Sequence, residues 1–177
     1  MTRLIIPGLN GSGPGHWQSW WLAEDGDAVL VEQNDWRNPR PGAWQSRLAD
    51  AIAAAPGATL IAHSLGCALV APADVEDGRW ATAELAAFGP LPVRAFPFKS
   101  TLVASRNDPY MAFDRSAQLA RAWGSTFVDL GASGHINAES GFGPWPRGLD
   151  LAARLSGPSG LARPAFAPTP ARLGKGA

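Results

Sequence analysis

The chain has 177 residues, 46% of them hydrophobic, enough for one domain with a buried core. Lysine plus arginine balance aspartate plus glutamate at 15 each, so no net field draws the protein to nucleic acid, an anionic membrane or a polyanionic substrate, and a neutral, compact substrate is expected. The single cysteine, Cys67, excludes an internal disulfide and the cysteine-rich cluster of a structural zinc site, which makes a reducing cytoplasm the expected compartment.

The apolar run before Pro7 is too short for a signal peptide, and no later run approaches membrane-spanning length, so no membrane association is expected. Leu4 to Ile6 reads as a first buried strand, followed by the glycine-rich loop Pro7-Gly8-Leu9-Asn10-Gly11-Ser12-Gly13. A second strand is expected over Ala28 to Val31. A helix follows over Ala43 to Ala55, where Trp44, Leu48, Ala51, Ile52 and Ala55 recur near the 3.6-residue period until Pro56-Gly57 ends it. Thr59 to Ala62 is a third strand that runs directly into Ser64. Thr101 to Ala104 is a fourth, then a helix over Phe113 to Trp123 stopped by Gly124, then a fifth strand over Thr126 to Leu130. Strands alternating with helices predict an α/β fold with a mainly parallel sheet covered on both faces. The domain is expected to span residues 1–156, leaving 157–177, with four prolines, four glycines and no apolar period, as a disordered tail.

The segment Thr59-Leu60-Ile61-Ala62-His63-Ser64-Leu65-Gly66 has the pattern of a nucleophile elbow, a sharp strand-to-helix turn that raises a serine above the sheet edge. Small residues two before and two after the serine avoid clashes within the turn, and Ala62 and Gly66 occupy those places. Asp108 follows the fourth strand and His135 the fifth, so each candidate leaves its own strand at the carboxyl end, where parallel sheets place ligands. The order Ser, Asp, His is the one this fold uses. A serine hydroxyl is a poor nucleophile until a base accepts its proton; an imidazole, ordinarily titrating near 6.5, can do so, and a carboxylate fixes its tautomer. The developing oxyanion would take one donor from the Leu65 amide and a second from the first loop, from Leu9 or alternatively Asn10.

Taken together, Ile-Pro-Gly-Leu-Asn-Gly-Ser, His16-Trp17, Asp35-Trp36, Ala-His-Ser-Leu-Gly-Cys, Ser-Arg-Asn-Asp-Pro-Tyr and Gly-His-Ile-Asn resemble the retinoblastoma-binding-protein-type serine hydrolases, whose bacterial relatives are called the YdeN type. The resemblance covers roughly Arg3 to Leu155. It implies a three-layer α/β-hydrolase-like fold, hydrolysis of small esters or amides without a cofactor, and Ser64, Asp108 and His135 as the triad. The human namesake's pocket-protein partner depends on Leu-x-Cys-x-Glu, whereas this chain reads Leu65-Gly66-Cys67-Ala68-Leu69, so no retinoblastoma-type partner is expected. In the resembled family a longer helix and a further strand follow the elbow. Here Cys67 to Val70 leads straight into Ala71-Pro72, so one helix-strand unit is expected to be lost or shortened, at a risk to the Asp108–His135 hydrogen bond.

Other chemical residues have plainer readings. His63 should point away from the serine's reacting oxygen as a packed, hydrogen-bonded histidine, and His16 suits a helix start or loop. Cys67 is expected to be buried. Trp17, Trp20 and Trp21 suit the core, whereas Trp145 is a pocket candidate. Asp129 and Glu139 are the alternative acids. Three scattered histidines show no metal-ligand spacing. The competing function is an α/β-hydrolase-fold binding protein that has lost turnover.

Overall fold

A computed structural model describes residues 1–71, 88, 91 and 93–155. The expected disordered tail, and most of the segment on which the expected shortening falls, lie outside the described residues.

Arg3–Ile6 form strand β1, with all four residues buried and Leu4, Ile5 and Ile6 supplying its apolar surface. β2 (Ala28–Leu30) and β3 (Thr59–Ala62) pair with it in parallel, one on each side, with Leu4 opposite both Val29 and Leu60. Side chains alternate along a strand, so β1 feeds two cores. Leu4 and Ile6 face Trp44, Leu48, Leu65 and Leu69 from α2 (Pro41–Ala54) and α3 (Leu65–Val70). Ile5, with Ile61 from β3, faces Trp17 and Trp21 from α1 (Trp17–Glu24) and Ala152 from α5 (Pro146–Leu155). The result is a sheet between two helical layers.

β4 (Thr101–Ala104) and β5 (Thr126–Asp129) pair in parallel as a second ladder. Among the described residues no strand pairing joins this ladder to β3. Among the described residues the mainly parallel sheet expected from the sequence consists of these two parallel ladders. α4 (Phe113–Trp123) covers the second one, with Leu119 and Trp123 packed near Leu102 and near Ala71 and Ala68 of the elbow helix. It ends at Gly124, whose φ of +70° is the left-handed cap the sequence called for.

Three local expectations change. α1 and α5 go beyond the elements read from the sequence. Ile52, assigned to the buried face of α2, is 41% exposed, because α2 turns Trp44 and Leu48 inward and only those two are fully buried. Cys67, expected to be buried, keeps exposed surface because Leu65, Gly66 and Leu69 take the inner side of the six-residue α3, while its crowded surroundings push the thiol up to about 12.

Candidate active site

β3 ends at Ala62, and two residues later Ser64 adopts φ +54°, ψ −125° before α3 begins at Leu65. A non-glycine residue in that region is strained by about 1–3 kcal/mol, and the packing around it must hold it there. Gly66 makes the turn possible: a Cβ on it would run into the Ile6 carbonyl oxygen and lie 2.8 Å from that of Pro7. Gly8 does the same for the first loop, where a Cβ would sit 2.7 Å from Ser64 Cβ and 2.9 Å from the Leu65 nitrogen. The first loop therefore lies directly against the elbow.

Ser64 Oγ is 3.0 Å from His135 Nε2, and His135 Nδ1 is 3.0 Å from each Asp108 carboxylate oxygen. With Nδ1–H donated to Asp108, Nε2 is left to accept from the serine hydroxyl. Burial by itself would push the Asp108 carboxyl up. The hydrogen bond from His135 and the amides of Tyr110 and Met111 outweigh it and hold the group below the usual carboxylate range.

The expected threat to the Asp108–His135 bond does not materialise, and the reason is local. Both residues leave the same β4–β5 ladder, and their loops are tied to each other. Asn107 Oδ1 accepts from the Ser105 hydroxyl at 2.9 Å and from the Gly134 amide at 2.8 Å. Ser105 Oγ, 2% exposed as a residue, accepts from the Ser133 amide, and the Arg106 amide donates to the Gly131 carbonyl. The Ser140 hydroxyl accepts from the His135 amide. Ser105, Asn107 and Ser140 were missed by sequence reasoning; the only signal was small polar residues crowded around the acid and the histidine.

The alternative acid Asp129 is engaged elsewhere, accepting from Arg106 at 2.6–2.8 Å and from the Gly131 amide. On the oxyanion side, Leu65 is buried at the start of α3. The Asn10 amide already donates to the Trp36 carbonyl at 2.8 Å, whereas among the described residues the amides of Leu9 and Leu65 have no such commitment. Gln18, fully buried, also escaped the sequence reading. Its amide nitrogen donates to the carbonyls of Ile6 and Ile61 and its oxygen accepts from Ser12, which ties the first loop to the ends of β1 and β3.

His63 is hydrogen-bonded as expected, its Nε2 meeting the His135 carbonyl at 2.8 Å. His16 caps α1, its Nδ1 accepting from the Gln18 amide. Burial, reinforced by neighbouring imidazoles, pushes both down to about 4. Trp145, proposed for a pocket, instead packs with Trp17, Trp21 and Phe142 in the second core. No group of three or more metal-ligating side chains occurs among the described residues.

Residues 3–69 and 68–154 match the family described as Serine hydrolase, most of the chain. The chain belongs to the serine hydrolase family. Within it, the chain is similar to a protein of Pectobacterium atrosepticum assigned as a YdeN-like hydrolase, at 31% identity over 88% of this chain and 90% of that one, with a TM-score of 0.74. The ydeN gene product of B. subtilis shares the fold at 20% identity, covering 88% of this chain and 98% of that one, with a TM-score of 0.65. No curated protein matches. These likenesses give this serine hydrolase family member the α/β-hydrolase-like architecture expected from its alternating strands and helices. No helix among the described residues is long and apolar enough to cross a membrane.

Proposed function

We propose that the chain hydrolyses a small ester or amide through an acyl-enzyme, with Ser64 as nucleophile, His135 as base and Asp108 as the group that orients the histidine. The observation that carries the reading is the unbroken series from Ser64 Oγ through His135 to Asp108, with each link at 3.0 Å. Ser64 Oγ bonds to the substrate carbonyl carbon while its proton passes to His135 Nε2, and Asp108 stabilises the resulting imidazolium. The oxyanion is held by the amides of Leu65 and Leu9. The carbon–oxygen or carbon–nitrogen bond then breaks, and the leaving group departs with the proton from His135. Water, giving a proton to the same nitrogen, attacks the acyl-serine and releases the acid. The even charge balance supports a neutral substrate, and the cytoplasm, with its reduced thiols, suits a chain with one free cysteine.

The test is turnover of a short-chain p-nitrophenyl ester by the full chain and by Ser64→Ala. Hydrolysis that drops at least about a thousandfold in a folded Ser64→Ala protein is expected. Equal turnover by the two proteins contradicts the reading, and absence of turnover in the natural chain favours a fold retained for binding.

A further inference from the structure

Across the seam between the two ladders, no strand pairing fixes β3 to β4 among the described residues, yet Ser64 hangs from one ladder and His135 from the other. The bond between the loops of Asp108 and His135 cannot set this distance, because both loops belong to the same side. Two side chains from the β1–β3 side reach over. His63, next to Ser64, has Nε2 at 2.8 Å from the carbonyl of His135, and the indole Nε1–H of Trp17 donates to the carbonyl of Ile136, also at 2.8 Å. The two acceptors are consecutive. Between them Ile136, buried and β-branched, has φ +53°, a conformation such a residue keeps only where its surroundings dictate it. The Trp17 amide adds a further link, to the carbonyl of Phe142.

We propose that His63 and Trp17 are positioning residues that, by donating to the adjacent carbonyls of His135 and Ile136, set the separation of Ser64 Oγ from His135 Nε2 across the seam. The proposal rests on the reading of Ser64 as nucleophile and His135 as base. A carbonyl can only accept, so His63 carries its proton on Nε2, and its depressed titration keeps the ring neutral at physiological pH. His63 also packs its ring edge-on against His16 and Trp17 and tilted against His135, at centroid distances of 4.8–6.0 Å, so its packing and its hydrogen bond are separable by substitution. A displacement of about 1 Å between nucleophile and base can cost about a hundredfold in rate while leaving the binding surface in place.

The experiment compares His63→Phe, which keeps a ring but removes the donor, with His63→Gln, whose amide can donate, and with Trp17→Phe, all in the full chain. Steady-state ester hydrolysis and the rate of fluorophosphonate labelling are followed beside a thermal melt. His63→Phe and Trp17→Phe are each expected to lower kcat by about 10- to 100-fold with KM within about twofold, whereas His63→Gln stays within about threefold of the natural chain. A folded His63→Phe protein with the natural kcat overturns the proposal, as does a His63→Gln protein as slow as His63→Phe. Ser64→Ala separates the two levels: labelling that survives it defeats the nucleophile assignment itself, whichever way the His63 variants behave. If His63→Phe does not fold, nitrogen-15 NMR of histidine-labelled natural protein decides, with an Nε2–H tautomer expected for His63 and an Nδ1–H tautomer overturning the proposal.

Discussion

Asp108 and Asp129 are carboxylates at the carboxyl ends of neighbouring strands, and their partners separate their roles. Asp108 has both oxygens 3.0 Å from His135 Nδ1, while Asp129 is engaged by Arg106 and the Gly131 amide. Replacing Asp108 by Asn keeps the shape but offers an N–H to the imidazole, which favours the wrong tautomer and leaves no negative charge to stabilise the imidazolium. Asp108→Asn is expected to lower kcat about 10³- to 10⁴-fold, and Asp129→Asn by less than about fivefold, in a side-by-side assay of ester hydrolysis. The reverse order of the two would move the orienting role to Asp129. Both sites were candidates from sequence, since either carboxylate follows an apolar run. Asp108, preferred in the sequence for its place between strand and helix, is the one hydrogen-bonded to His135, and Asp129 is the one held by Arg106.

At the level of elements, the elbow depends on how closely β1 and the first loop approach α3. A methyl group on Gly66 meets the carbonyl oxygens of Ile6 and Pro7, which belong to backbone and cannot swing away. Gly66→Ala is therefore expected to cost about 1–3 kcal/mol in urea unfolding and to reduce hydrolysis disproportionately, because the forced shift lands on Ser64 and Leu9. Unchanged stability would show that the turn relaxes freely. The elbow, the five strands among the described residues and the helices α2 and α4 were legible because short apolar runs and a 3.6-residue period are local signals. α1 was not, since Trp17-Gln18-Ser19-Trp20-Trp21 has its most buried polar residue, Gln18, amid its aromatics, and that residue is satisfied only by carbonyls of β1 and β3 and by Ser12. Long-range satisfaction leaves no mark in a sequence window. For the same reason Ser64, Asp108 and His135 could be singled out as candidates from their places after strands, while Ser105, Asn107 and Ser140, which hold two loops together, could not.

Over the whole molecule, the site is assembled where two ladders meet, and buried imidazoles line that meeting. His16 and His63 titrate at about 4 in the folded protein, pushed down chiefly by burial, against an ordinary 6.5. The unfolded chain thus takes up protons that the folded one refuses as the pH falls through 6.5. Stability is complete above that value, declines towards pH 4, and loses nothing further from these two groups below it. The melting temperature is expected to fall over that window, corresponding to a loss of up to about 3 kcal/mol for each imidazole, and to fall less in His63→Phe. An equally steep decline in that variant would remove His63 as a cause. The central claim is that the two ladders together make one serine a nucleophile. Its most direct measurement is mass spectrometry of the natural chain after reaction with a fluorophosphonate, followed by peptide mapping. A single adduct on Ser64, absent after Ser64→Ala or His135→Ala, is the predicted result; an unmodified chain, or an adduct on another serine, would contradict it.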